Sequence, residues 1–303
     1  MTPPILAITG GTGFVGRILI TMAVAKGWQV RALARSDQIA ENGVTWVIGA
    51  LDQPERLAAL VAGADAVIHV AGVVNATTRA EFEAINIRGT SALLNAVHAL
   101  GVRRFIYISS LTARWSELSN YGWSKAQAEN IIAASTLDWT IVRPPWIYGP
   151  GDKDTLDIFK AARGGLVPLP PNGHISVLHV ADLAHLLLAL VNAPEAYAQV
   201  YEPDDGSDDW TNASFVRAIG LAFNKRVAVL HLPKAVLLIG AYLDKLFRRS
   251  GAKLTKDRVN YMTHPDWRVD PARRPPSTIW QPMVNTHTGV KTTLADYRER
   301  KWL

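Results

Sequence analysis

The sequence predicts an α/β fold: a doubly wound parallel sheet with a smaller, mostly helical second domain. Three observations predict it. Short β-branched runs alternate with helical stretches through the first half of the chain. Those runs are apolar on both sides, as strands are when helices cover both faces of a sheet. After Pro144 the alternation breaks down and proline and glycine become frequent.

The elements follow in order. Ile5–Ile8 reads as the first strand, then a glycine turn and a helix from about Phe14 to Lys26. Trp28–Ala34 and Thr45–Ile48 are the next strands, ahead of a helix over Pro54–Ala62. Ala66–Val70 is the fourth strand, followed by a long helix from about Ala80 to Leu100. Phe105–Ser109 is the fifth strand, Tyr121–Ser135 a helix and Trp139–Arg143 the sixth strand. Loops are expected to dominate 144–175. Val180–Asn192 reads as a helix and Val200–Glu202 as a seventh strand. From 204 onward the chain reads as helical and loop-rich, broken by Pro233, Pro265, Pro271, Pro275, Pro276 and Pro282. The expected division is 1–148 with 176–203 for the sheet domain, and 149–175 with 204–303 for the second.

Composition narrows the class. A chain of 303 residues with 49% apolar and 19% charged residues is globular and can bury a large core. The absence of cysteine excludes disulfides, thiol nucleophiles and cysteine zinc sites. The opening MTPPILAITGG lacks a basic n-region and a long apolar run, so no signal peptide is expected and a cytoplasmic location is. Ala235–Leu243, the most apolar later stretch, falls short of the roughly 20 residues that span a bilayer. The net charge of +6 has its surplus at Lys245, Arg248, Arg249, Lys253, Lys256 and Arg258. It reads first as a solvated helix face and second as attraction for an anionic small molecule. Nucleic acid is not an expected partner, because no basic run carries interleaved aromatics. A basic amphipathic helix at a membrane surface over 235–250 is the lesser reading, and a homodimer is left open.

The glycine turn carries the first chemistry. Gly10, Gly13 and Gly16 are spaced G-x-x-G-x-x-G after a strand and at the start of a helix. In that βαβ context the first glycine permits a sharp turn, the second a close approach of backbone to a pyrophosphate, and the third tight helix packing. The helix presents its N-terminal amides and positive dipole end to the phosphates. A dinucleotide-binding Rossmann sheet is the expectation. NAD binders usually carry an acid at the end of the second strand to accept from the ribose 2′-hydroxyl. Here that place is held by Arg35, with no acid before Asp37. A guanidinium suits a 2′-phosphate, so NADP(H) is expected in preference to NAD(H).

Tyr121 and Lys125 lie four residues apart on one helix face. Ser110 closes the fifth strand, at the carboxyl edge where ligands bind in such sheets. Hydride transfer to a ketone needs a matching proton. A tyrosine, ordinarily titrating near about 10, supplies one when a nearby cation lowers that value. Lys125 is such a cation, and the Ser110 hydroxyl can hydrogen-bond the carbonyl oxygen.

With these residues in hand the chain resembles the short-chain dehydrogenase/reductase superfamily. It is most similar to its extended or atypical members, the NAD-dependent epimerase/dehydratase and 3β-hydroxysteroid dehydrogenase-like group. The likeness rests on TGGTGFVG at 9–16, HVAG at 69–72, NIRGT at 86–90, FIYISS at 105–110, YGWSK at 121–125, RPPWIYGPGD at 143–152 and LHVADLA at 178–184. It implies Ser110, Tyr121 and Lys125 as the catalytic set, with Lys125 also holding the nicotinamide ribose and Asn86 bracing the sheet. It implies cofactor contacts from Gly10, Thr12, Gly13, Phe14, Val15, Gly16, Arg35, Leu51, Ala71, Gly72, Tyr121, Lys125 and Pro144. The sequence departs from the family in several places. Tyr121 follows Ser110 by only eleven positions, and Leu111-Thr112 stands where dehydratases carry an Asp-Glu pair. Ala50 replaces an aspartate facing the adenine, and Ala181 replaces an acid.

His69 and His179 read as core or capping histidines. No histidine spacing or acidic cluster suggests a metal. Trp123 and Trp146 flank the expected site as candidates to line a pocket, whereas Trp139, Trp210 and Trp280 read as packing. Asp204, Asp205, Asp208 and Asp209 read as a turn leading to a helix cap near Thr211. Two functional readings stand. One is an NADP(H)-dependent oxidoreductase or epimerase whose small-molecule substrate lies between the sheet edge and 204–303. The other is a non-catalytic dinucleotide-binding sensor or accessory subunit of a membrane complex.

Overall fold

The computed structural model describes residues 3–248 and 254–303, so Arg249 and Lys253 of the basic stretch lie outside the described residues. The elements run β1 (Ile5–Thr9), α1 (Phe14–Ala25), β2 (Gln29–Ala34), β3 (Val44–Ile48), α2 (Pro54–Val61), β4 (Ala66–His69) and α3 (Arg79–Phe82). A π-helical turn (Glu83–Arg88) joins α3 to α4 (Gly89–Ala99). Then come β5 (Arg104–Ile108), a 3₁₀ turn (Leu111–Trp115), α5 (Asn120–Ala133) and β6 (Asp138–Val142). The chain continues with β7 (Trp146–Tyr148), α6 (Leu156–Gly164), β8 (Leu166–Leu169), β9 (His174–Ile175), β10 (Val177–His179), α7 (Val180–Val191) and β11 (Gln199–Tyr201). It ends with α8 (Asn212–Ala222), β12 (Ala228–His231), α9 (Lys234–Arg248), α10 (Lys256–Met262), β13 (Asp266–Trp267) and α11 (Thr286–Glu299).

Two compact units result. The first comprises Met1–Arg143, Leu183–Tyr201 and Pro275–Gln281. It holds a seven-stranded parallel sheet in the order β11-β6-β5-β4-β1-β2-β3. Strand order reverses between β1 and β4, which pair with Thr9 opposite His69. Such a switch point opens a crevice outside the carboxyl ends of the strands, the place where α/β sheets bind ligands. One sheet face is covered by α2 through Leu57, Leu60 and Val61, and by α4 through Leu93, Leu94 and Val97. Both sets follow the i, i+3, i+4 stripe that turns one side of a helix inward, against Ala7, Val67 and Phe105 of the sheet.

The long helix expected over Ala80–Leu100 is interrupted. Thr78 caps its start, accepting from the Glu81 amide while the Glu81 carboxylate reaches back to the cap. The π turn that follows adds a residue, and Asn86 within it is buried. A π-bulge of this kind often marks a functional site.

The second unit comprises Pro144–Asp182, Glu202–Arg274 and Pro282–Leu303. Here the structure corrects the expectation. Residues 144–175 hold a helix and three strands, because Leu156, Ile158, Phe159 and Ala162 supply an apolar face for α6. Pro168 is tolerated in β8 because that strand pairs only with β12, in a two-stranded parallel sheet. β12 itself was not expected after 204. The boundary also differs from the sequence division. β7 pairs with β10 in a small separate sheet, and so 144–148 and 176–182 fall in the second unit.

In this unit the acidic turn and the cap are both present. Thr211 caps α8 in a capping box with Ser214. Asp204 is bound by the Arg274 guanidinium at 3.0 and 2.8 Å, and Asp208 by the same group. Asp182, one position beyond the departure at Ala181, is fully buried and accepts the Met283 and Val284 amides at 3.0 Å each. Trp146 packs edge-on against Phe215 and donates to the Thr155 hydroxyl at the side of this unit's core. Among the described residues no helix is long and apolar enough to cross a membrane.

Candidate active site

The glycine turn leaves the carboxyl end of β1. Gly10 has φ +73°, and a Cβ there would sit 2.6 Å from the Ala71 amide nitrogen. Gly16 lies so close to the turn that a Cβ would approach the Gly10 carbonyl oxygen to 2.1 Å. The third glycine therefore lets the helix pack against the turn itself, and the first lets the turn pack against the backbone just past β4. Gly13 is the first residue before α1; no side chain caps the helix there and no acid occupies its first turn. The leading amides at Phe14, Val15 and Gly16 are thus left for an anion, which is the fit a pyrophosphate requires. Thr12 is exposed beside them, with its carbonyl accepting from Arg17 Nε at 3.1 Å.

Arg35 follows the carboxyl end of β2 and is exposed. Among the described residues it forms no hydrogen bond or ion pair, in contrast to Arg31, whose guanidinium donates to the carbonyls of Ala59, Leu60 and Ala62. Leu51, half-buried, packs beneath Gly89, where a Cβ would lie 2.9 Å from its Cδ1. Pro144 is buried and falls in the second unit.

The end of β4 is tied down by a polar chain that sequence reading saw only in part. The Ala71 amide donates to Thr9 Oγ1 at 3.2 Å, and Thr9 Oγ1 meets His69 Nδ1 at 2.6 Å. His69 Nε2 meets Thr90 Oγ1 at 2.9 Å, and Thr90 donates to the Asn86 carbonyl at 2.7 Å. The Thr90 proton is committed to Asn86, so His69 must carry its own proton on Nε2 and accept on Nδ1. Burial, and then the charge of Lys125, pushes His69 down to about 3, which keeps it neutral. It is a core histidine that orders the strand end.

Asn86 extends this order toward the helix bearing Tyr121. Its amide clamps Val73, accepting from the backbone nitrogen at 2.8 Å and donating to the oxygen at 3.0 Å. It also donates to Ser124 Oγ at 2.9 Å, and Ser124 in turn donates to the Tyr121 carbonyl at 2.8 Å. The side chain thus braces the loop after β4 against α5 rather than the sheet directly.

Ser110 lies two residues beyond β5, not at its last position, and caps the 3₁₀ turn. Its Oγ accepts the Thr112 amide at 3.2 Å, which leaves the hydroxyl proton to donate elsewhere. The short connection to Tyr121 is this single turn folded back on α5. A Cβ at Gly122 would meet the Thr112 carbonyl oxygen at 2.6 Å, and the Gly122 amide is held by the Ser119 cap at 2.9 Å. Tyr121 is nearly buried, its ring 6.1 Å from that of Phe82. Trp123 lies under the Arg79 guanidinium at 3.7 Å, so its face is occupied from within the unit.

Lys125 is buried one helical turn beyond Tyr121. Its Nζ donates to the Ile108 carbonyl at 2.7 Å and lies 4.5 Å from the Tyr107 ring centroid. A Cβ on Gly72 would stand 3.5 Å from this Nζ and 3.2 Å from Asn86 Oδ1, so Gly72, Asn86 and Lys125 converge. Burial pulls the Lys125 ammonium down to about 7, against the opposing pull of Glu129. Glu129, one further turn along, is buried and takes the Arg143 guanidinium at 2.9 and 2.6 Å together with the Ser109 hydroxyl. Sequence reading missed Thr9, Ser124 and Glu129. A polar residue at a helix or strand position that the apolar pattern turns inward was the available signal.

The chain matches the NAD(P)H-binding family model over residues 10–194. It is 33% identical to a ceramide reductase from Caulobacter vibrioides, covering 99% of this chain and 96% of the relative. It is 26% identical to a UDP-glucose 4-epimerase from Vibrio cholerae, covering 96% and 94%. Among solved structures, a human epimerase family protein determined with NADPH shares the fold at a TM-score of 0.76 and 19% identity, covering 96% of this chain and 99% of that one. The match to the family model and the likeness to an enzyme along almost the entire chain answer the question the glycine turn raised. The chain belongs to the NAD(P)H-binding family and is an NAD(P)-dependent enzyme of the extended short-chain dehydrogenase/reductase superfamily, an oxidoreductase or an epimerase.

Proposed function

We propose that the chain is an NADP(H)-dependent reductase of a ketone carried by an apolar, acyl-bearing small molecule, working through Ser110, Tyr121 and Lys125. The observation that carries the reading is the buried Lys125 ammonium, anchored on the Ile108 carbonyl one helical turn from Tyr121. When bound, the dinucleotide supplies the hydride to the carbonyl carbon. The Ser110 hydroxyl, already oriented by the Thr112 amide, donates to the carbonyl oxygen and holds it for protonation. The Tyr121 hydroxyl gives that oxygen its proton, and the alcohol leaves. The charged form of Lys125 stabilises the resulting phenolate, and its value of about 7 lets it return a proton near neutral pH.

The glycine turn, Ala71 and Gly72 would hold the dinucleotide, with Lys125 and Asn86 beside its ribose. Arg35, exposed and uncommitted, supports the phosphorylated cofactor. Reduction is favoured over epimerisation because the ceramide reductase is both more similar and more completely matched than the epimerase, and its name supports an acyl-bearing substrate.

The test is turnover of long-chain oxo-lipids and of nucleotide sugars, followed by NADPH absorbance, with Tyr121→Phe alongside. The expected loss in kcat is roughly a hundredfold to ten-thousandfold with NADPH binding retained. Undiminished turnover in Tyr121→Phe, or activity on nucleotide sugars alone, would overturn the reading.

A further inference from the structure

Helix α9 carries an apolar face that remains exposed. Leu237 and Ala241 are buried with Val259, and Leu232, Leu238 and Leu254 pack partly against them. The other apolar side is open: Val236, Ile239, Tyr242, Leu243, Leu246 and Phe247 are exposed, Ile239 by 62%, Tyr242 by 69% and Phe247 by 80%. Their i, i+3, i+4, i+7 spacing gathers them on one side of the helix. A single exposed leucine is ordinary, but a contiguous patch of six large apolar side chains marks a contact surface.

The charges around the patch indicate what covers it. Lys234 opens the helix, Lys245 and Arg248 lie in its last turn, and Lys256 starts the next helix; all four are exposed. The one acid on α9 is Asp244, which accepts the Leu254 amide at 2.8 Å, pairs with Arg248 at 3.3 Å and leaves its side chain only 17% exposed. The helix therefore offers solvent an apolar stripe with cations and almost no anion. A second copy of the chain meeting this face symmetrically would set Lys245 and Arg248 against a like-charged helix with no exposed acid to answer them. An anionic lipid surface answers both features at once. At 15 residues α9 is shorter than the roughly 20 needed to span a bilayer, so it would lie in the plane of the interface. Tyr242 has the amphipathic ring that settles at headgroup level.

We propose that α9 is an interfacial helix that docks this protein on an anionic phospholipid membrane. The proposal goes beyond the reaction assigned above and does not depend on it.

The test uses the full chain and co-sedimentation with vesicles of phosphatidylcholine, with and without phosphatidylglycerol, at low and high salt. Binding to the anionic vesicles, weakened by salt, is expected. Ile239→Ser combined with Phe247→Ser should weaken it at least about tenfold, from the apolar burial forfeited. Lys245→Gln and Arg248→Gln should each weaken it roughly fivefold, and only on the anionic vesicles. These side chains are exposed, so the variants should keep the parent melting temperature. Should the serine variant melt early, the charge variants carry the test alone. Failure to bind either vesicle overturns the proposal. So does a concentration-dependent dimer in light scattering that the serine variant dissociates, since a second copy would then be the occupant.

Discussion

Replacing Lys125 with methionine separates what the residue does for the reaction from what it does to the fold. Lys125 is buried to 4% exposure and its ammonium is held at about 7, against 10.5 for a free lysine. At about 1.4 kcal/mol per pH unit, burying it costs the folded state roughly 4 kcal/mol at pH 7. Methionine is of similar length and apolar, so Lys125→Met removes that cost. It also forfeits the hydrogen bond to the Ile108 carbonyl, worth about 1 kcal/mol. The net expectation is a gain of about 1–4 kcal/mol at pH 7, the range seen when buried charges are replaced by apolar groups. The sign with pH is fixed. Between about 7 and 10.5 the unfolded chain binds the lysine proton more readily than the folded one, so the parent gains stability as pH rises through that window. The variant lacks this gain. Its advantage should therefore be greatest at pH 7 and below, and about 3 kcal/mol smaller near pH 9.5. Urea titrations of parent and variant at the two pH values measure it, and kcat measured beside them should fall steeply. A variant less stable than the parent at pH 7, or an advantage that does not change with pH, would refute the reasoning.

Two further outcomes follow from the same geometry. Arg35→Ala should raise the Kd for NADPH by roughly 10–100-fold, the value of a charge-assisted contact, while leaving NADH unchanged; isothermal titration with both cofactors checks it. Arg143→Met should strip Glu129 of its bidentate partner inside the unit and cost about 3–5 kcal/mol, visible as a lowered Tm. Adding Glu129→Gln to Arg143→Met should return much of that loss, because the buried charge is then gone.

Much of the frame was legible before the fold was seen. Every strand of the seven-stranded sheet, and the helices α1, α2, α5 and α7, follow from apolar runs and their periods to within a residue or two; the break between α3 and α4 and the helix α6 do not. The glycine spacing announced the turn because its requirements are local: a positive φ at Gly10 and a missing Cβ at Gly16 are properties of a few consecutive residues. The tyrosine and lysine could be paired because four residues on a helix are neighbours by geometry alone.

The long-range partners were decided by tertiary structure. Nothing in the chain near position 69 says that His69 meets Thr9 and Thr90, or that Asn86 clamps Val73 and Ser124, because those contacts span up to sixty positions and form only when β1, β4 and α5 converge. The small paired strands of the second unit escaped sequence reading for a related reason. β7 to β10, β12 and β13 are short, and each is stabilised by a partner distant in sequence rather than by its own pattern. α9 shows the division most clearly. Its sequence states that it is amphipathic, but only packing reveals that Leu237 and Ala241 take the buried side while Ile239 and Phe247 are left for something else. Local chemistry is written in residue spacing. Which faces meet is settled when distant segments compete for the same buried surface, and a linear pattern carries no record of that competition.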